Sequence, residues 1–119
     1  MTEDKVRDKA REILGFKDGI KGVNCGVGQL TTFNQLNFKG VSDKPDGWYF
    51  PENLNDVAII LEAKASKISL DKKQVVDELL KNIRITQTKY KKVIGILYNG
   101  KDVRVFKGEE LAPPIVLKN

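Results

Sequence analysis

The stretch DVAIILEAKAS, Asp56 to Ser66, decides how this chain folds. Val57 to Leu61 form an unbroken apolar run, the mark of a strand buried on both faces. Glu62 and Lys64 then interrupt it, one residue apart. Side chains at i and i+2 of a strand point to the same face. A carboxylate and an ammonium therefore stand side by side at the end of a core strand. Just upstream, DGWYF (46–50) is short and aromatic and reads as another strand, and PENLND (51–56) is rich in turn formers. The two runs form a hairpin, and in an antiparallel pair the start of one strand lies beside the end of the other.

The remaining elements arrange themselves around this hairpin. Val6, Ala10, Ile13 and Leu14 fall on one face of a helix, with Thr2 as its N-cap and Gly15 as its C-cap. GFKDGIKGVNCGVGQL (15–30) is glycine-rich and reads as a turn-rich connection. Its Gly26-Val27-Gly28 lacks the Lys-Ser/Thr that would complete a phosphate loop. TFNQLNFKG (32–40) alternates weakly and is expected as the first strand. Val75, Val76, Leu79, Leu80 and Ile83 predict a helix over 69–90, with Ser69 as N-cap. Asn99-Gly100 lies between two β-rich runs, the strongest short-range hairpin signal. The expected order is α-β-β-β-α-β-β around a mixed sheet, an α/β fold in a single domain over residues 1–108. LAPPIVLKN carries two prolines, so residues 109–119 read as a strap or the start of a linker.

A chain of 119 residues is long enough for one real core, and 40% hydrophobic with 31% charged residues is an ordinary globular balance. No apolar run approaches the length of a membrane span, and the N-terminus MTEDKVRDKARE has no apolar signal region, so a cytoplasmic location is expected. Cys25 is the single cysteine, which excludes an internal disulfide and leaves it an expected inert core residue. There is no histidine, so a Cys/His zinc site, a histidine general base and a Ser-His-Asp triad are excluded. Any metal would be a hard cation on oxygen ligands. The net charge of +5 is unevenly spread: residues 1–63 hold 8 Lys/Arg and 10 Asp/Glu, residues 64–107 hold 12 and 4. Charge alone is met most simply by a solvated lysine surface; the informative reading is a polyanion partner, nucleic acid first.

The hairpin brings two acids together. Asp46 opens its first strand and Glu62 closes its second, so the two converge although 15 residues separate them. Carboxylates a few ångströms apart repel unless a cation lies between them. Mg²⁺ would take one oxygen from each, with the Ala63 backbone carbonyl and waters completing its shell. Lys64 would stand beside the attacking water. This arrangement suits phosphodiester hydrolysis, with Lys64 orienting the water or neutralising developing charge. Against it, Glu62 and Lys64 alone could be a surface ion pair worth under about 1 kcal/mol, and Pro45-Asp46 alone a common turn signal.

With these residues in place the chain resembles the PD-(D/E)XK nucleases, Asp46 matching the first acid, Glu62 the second and Lys64 the lysine. It is most similar to the N-terminal nuclease domain of type I restriction motor subunits and fused restriction–modification enzymes. TEDKVRDKAREILGF supplies that family's helix Glu (Glu3), Arg (Arg7) and closing Leu14-Gly15-Phe16; SDKPDGWYF resembles its Arg-Pro-Asp-Tyr strand with Lys44 for Arg; GILYNGKDVRVF resembles its closing hairpin. The likeness spans about residues 2–107 and implies a restriction-endonuclease-like three-layer core. It also implies a Mg²⁺-dependent DNA endonuclease domain, with Mn²⁺ able to substitute, acting on duplex DNA within a larger restriction polypeptide or complex. Two other readings stay open: a catalytically inactive nucleic-acid-binding or assembly module of the same fold, and a stand-alone repair or junction nuclease.

Several residues extend the expected site. Glu3 lies near the apolar stripe of the first helix and Glu12 far from it, so Glu3 either joins the metal shell or is an N-terminal acid favoured by the helix dipole. Gln74 sits where the family carries the Gln of a Gln-x-x-x-Tyr motif, but Glu78 stands in place of the Tyr. Gln74, Lys72, Lys73, Lys89 and Lys92 are the expected DNA contacts, with Lys67, Lys81, Arg84 and Lys91 as further candidates. Trp48 alternates with Asp46 and either flanks the site or fills the core.

Overall fold

The computed structural model describes residues 1–113. Helix α1 (Glu3–Leu14) begins at Thr2, whose Oγ1 accepts from the Lys5 N–H at 3.3 Å, and ends at Gly15. Gly15 takes the left-handed conformation (φ 70°) and its N–H donates to the Arg11 carbonyl at 2.8 Å, the αL stop for which glycine is the cheapest residue. Val6 and Ala10 are buried on the helix's inner face; Ile13, expected there too, is 64% exposed.

Six strands form one mixed sheet whose spatial order is the order in sequence: β1 (Val23–Val27), β2 (Gly47–Pro51), β3 (Ala58–Ala63), β4 (Val93–Tyr98), β5 (Val103–Lys107) and β6 (Glu110–Leu111). Every neighbouring pair is antiparallel except β3 and β4, which run parallel and are joined through helix α2 (Lys73–Gln87). A parallel pair cannot be closed by a tight turn, so the chain needs such a crossover. The two helices cover opposite faces. On one, Ala58, Ile60, Trp48 and Phe50 pack with Val75, Leu79 and Ile83 of α2 and with Phe33, Leu36 and Phe38. On the other, Leu61, Cys25 and Val27 pack with Ala10 of α1 and Phe16. The expected α/β order is thus present, as three layers around a mixed sheet, with β6 added at the end.

Four further details differ from expectation. The first strand is Val23–Val27, inside the glycine-rich segment, while 32–40 carries a short 3-10 helix (Asn34–Leu36) closed by Asn37 at φ 71°. Phe33, Leu36 and Phe38 do not keep a period of two, and all three turn inward. Helix α2 starts at Lys73 rather than near Ser69, whose Oγ instead accepts from the Asp71 N–H (3.2 Å) in the turn before it. Val57 lies outside β3 and is exposed. Residues 110–111 pair with β5, so the expected strap begins as a strand; the part of it at 114–119 lies outside the described residues. Among the described residues, no helix is long and apolar enough to cross a membrane.

Candidate active site at the end of β3

Gly47 pairs with Leu61 and Trp48 with Ile60. One step further in the same register sets Asp46 opposite Glu62, and opposite residues of an antiparallel pair share a face. Asp46 is 8% and Glu62 3% exposed, so both carboxyl groups are largely out of water. The Ala63 N–H donates to Asp46 Oδ2 at 2.8 Å, which fixes the Asp46 side chain against the end of β3. Asn82 of α2 donates from Nδ2 to Glu62 Oε2 at 3.2 Å, and Lys64 Nζ lies 3.7 Å from Glu62 Oε1. Burial raises the Glu62 pKa to about 10, helped by the charge of Asp46, the hydrogen bond shared with it and the charge of Glu78, against the opposing pull of Lys64. A carboxyl group so placed holds its proton at neutral pH unless another cation replaces it.

The Lys64 ammonium has a second partner. Its Nζ reaches Glu78 Oε2 at 2.6 Å. Burial works against its charge, but the hydrogen bond to Glu78 and the charges of Glu62, Glu78 and Glu3 outweigh this and raise its pKa. Glu78 and Asn82 are one turn apart on α2, and Lys64, the first residue past β3, lies two along the chain from Glu62. A helical turn and two strand residues span nearly the same length, about 6 Å. The helix therefore presents one polar group to each of these two residues.

Arg7 completes the centre from the other helix. Its guanidinium is 3.6 Å from Asp46 Oδ1 and 3.7 Å from Glu3 Oε1, donates to Gln29 Oε1 at 3.1 Å, and contacts Asp4. Glu3 thus reaches the site through Arg7 and not as a third carboxylate beside Asp46 and Glu62. Among the described residues, no group of three or more His, Cys, Asp or Glu side chains is placed to hold a metal ion. Two carboxylates are nevertheless a fitting donor set for Mg²⁺, which keeps several waters and is often held by one or two carboxylates plus substrate phosphate.

A cleft of about 410 Å³ opens beside this centre, lined by Glu3, Lys64, Lys67, Lys72, Gln74 and Glu78 among others. The expected DNA contacts are split by the fold. Lys72 and Gln74 line the cleft. Lys73 is exposed and pairs with Asp77 at 3.0 Å. Lys89 lies at the far end of α2, where its ammonium contacts the Asn37 carbonyl and sits 4.9 Å from the centre of the Phe38 ring. The Lys92 carbonyl accepts from the Ala58 N–H at the start of β3. Four strand steps, from Ala58 to Glu62, separate that end from the acid, about 13 Å. Lys81 and Arg84 are paired with Asp43 and Glu109. Trp48 is core: it is buried, and its Nε1 donates to Asn24 Oδ1 at 3.3 Å. Cys25 is buried as well, with its thiol donating to the Lys17 carbonyl and its pKa raised by burial.

Asn82 and the role of Arg7 were missed in the sequence, though both left a signal. Asn82 falls on the buried stripe of Val75, Leu79, Ile83 and Thr86, and Arg7 falls beside Val6 and Ala10. A polar residue at a core position of an amphipathic helix needs a buried partner.

The chain matches no family model, no curated protein and no solved structure.

Proposed function

We propose that this chain is a Mg²⁺-dependent DNA endonuclease domain of the PD-(D/E)XK kind. The observation that carries the reading is the pairing of two buried carboxyl groups, Asp46 opposite Glu62, with the Lys64 ammonium 3.7 Å from Glu62. A mixed sheet with the acids at the carboxyl end of a parallel strand supports it, since open α/β sheets bind ligands there. Asp46 and Glu62 would hold the ion, and Mn²⁺ would substitute for Mg²⁺. When bound, the ion supplies Lewis-acid polarisation of the phosphate and an attacking water of lowered pKa. The chain's own residues supply the rest. Arg7 and the Ala63 N–H fix Asp46, Asn82 fixes Glu62, and Lys64 orients the water or neutralises charge developing on the phosphate. Placement within a restriction polypeptide, whose other domains choose the DNA site, rests on the sequence resemblance alone.

The test is nicking of supercoiled plasmid in Mg²⁺ or Mn²⁺. Asp46→Ala, Glu62→Ala and Lys64→Ala should each abolish it with the far-ultraviolet circular dichroism unchanged. Groups that act as a unit fail together, so double variants should be little worse than singles. Cleavage by Asp46→Ala at the parent rate would sink the assignment. A second reading, a non-cleaving nucleic-acid module of the same fold, draws on the 2.6 Å contact of Lys64 with Glu78, which engages the lysine away from Glu62. A parent protein that binds duplex DNA but never nicks it would establish that reading.

A further inference from the structure

We propose that the cleft beside Lys64 is a subsite for a backbone phosphate, and that the Glu78 carboxylate occupies the phosphate's place at Lys64 when DNA is absent. The inference deepens the reading of this centre as one acting on nucleic acid. Lys64 has two carboxylate neighbours of different character. Glu62 is held in the interior by Asn82, whereas the Glu78 side chain on α2 is 51% exposed and can swing to solvent. The Lys64 side chain is itself only 19% exposed and reaches out of the interior into the cleft. An ammonium in that position cannot be left without a partner at low cost. Glu78 supplies one, and it is the kind of partner, an anionic oxygen acceptor, that a phosphodiester would be.

The rest of the cleft is suited to an anion longer than a carboxylate. Lys67 and Lys72 line it, both exposed, and Gln74 adds an amide that can donate to a phosphate oxygen. Among the described residues, neither lysine is engaged by an acid, in contrast to Lys73, Lys81 and Arg84 around it. Three ammonium groups thus face one opening, with Glu3 and Glu78 as the acids there. A phosphate that enters gains Lys64, Lys67 and Lys72 together; Glu78, once displaced, is rehydrated. The exchange makes binding weaker than the three lysines alone would give, since the Lys64–Glu78 pair must first be broken. Its consequence is a DNA-free protein whose lysine is held in position without being exposed to any passing anion.

The experiment is fluorescence anisotropy of a labelled short DNA duplex against the whole protein in metal-free buffer, so that cleavage plays no part. Glu78→Gln should bind about three- to tenfold more tightly than the parent, the range expected when a competing ion pair is removed. Lys67→Gln and Lys72→Gln should each weaken binding and lower the slope of log affinity against log salt by about one contact. Glu52→Gln, which makes the same charge change at the opposite end of the sheet, should stay within about twofold of the parent. In a Lys64→Gln background the Glu78→Gln gain should disappear. Equal gains from Glu52→Gln and Glu78→Gln would overturn the proposal, as would a Glu78→Gln gain that survives Lys64→Gln, because either would mean general repulsion and not exchange at Lys64. Failure of any form to bind duplex would overturn it too. Binding that follows the expected pattern in a protein that never nicks DNA would leave the subsite standing and remove the nuclease reading alone.

Discussion

Glu62 is the residue on which this molecule's electrostatics turn. Its carboxyl group is buried against Asp46, and burial and that neighbour raise its pKa to about 10. In the unfolded chain a glutamate titrates near 4.3. Between those values the folded protein holds a proton that the unfolded chain has released, so stability is full below the unfolded value and falls as pH rises toward the folded one. Lys64, whose pKa is also raised, loses its contribution only in the alkaline range and does not mask this slope. Glu62→Gln keeps the shape, can donate to Asp46 and can still accept from Asn82. It should therefore stabilise the metal-free protein by on the order of 1–3 kcal/mol at pH 8 and by little at pH 4.5. Urea denaturation at the two pH values checks this; an equal change at both would mean that Glu62 is not the titrating group. The site was legible to this depth because one strand carried both Glu62 and Lys64 and a hairpin brought Asp46. Asn82 and Arg7 were not, because their roles depend on which buried group each helix faces, and periodicity gives the stripe but not the opposite wall.

Among the elements, α2 is the one pressed hardest onto the sheet. It crosses over β4 at Gly95, where an added Cβ would lie 2.5 Å from Ile83 Cδ1 and 3.2 Å from Leu79 Cδ2. Gly95→Ala should cost about 1–3 kcal/mol by overpacking this contact. Gly28→Ala, with none of the described residues within 4 Å of the added carbon, should be near neutral. Ile83→Val removes the clashing methyl, so the Gly95→Ala/Ile83→Val double variant should be more stable than the sum of the two singles implies. Strict additivity in urea titrations would place the helix further from β4 than described. The same kind of contact explains why β1 was read as a turn-rich connection. Gly26 lies in β1 directly under Trp48, whose Cζ2 would be 2.7 Å from an added Cβ. Glycine inside a strand marks close approach of another group, and the group here comes from a residue 22 positions away by numbering. The final hairpin was legible because its signal is local. Asn99 accepts through Oδ1 from the Lys101 and Asp102 N–H groups, and Gly100 takes φ 86°. Even so the connection runs over four residues, from Tyr98 to Val103, because Asn99 also donates to the Ile68 carbonyl and ties the turn to the loop before α2.

At the scale of the molecule the candidate centre is a seam. Arg7 comes from α1, Asp46 from the entry to β2, Glu62 from the end of β3, Lys64 from just past it, and Glu78 and Asn82 from α2. The two apolar clusters lie on opposite faces of the sheet, and this polar group stands where both helices reach the carboxyl end of β3. A ligand held there links the layers and stabilises the folded state only, by an amount set by its concentration relative to its dissociation constant. A divalent ion must also displace the Glu62 proton, so its effect should grow with pH. Millimolar Mn²⁺ should accordingly raise the melting temperature by a few degrees, about what 1–2 kcal/mol gives for a domain of this size, and by more at pH 8 than at pH 6. Asp46→Asn removes one charged oxygen donor and should remove most of the rise. The check is a thermal melt of both proteins with Mn²⁺ and with chelator at the two pH values. A rise retained by Asp46→Asn would place the ion elsewhere on the surface, and no rise in the parent would mean that the two carboxyl groups do not hold a cation without DNA.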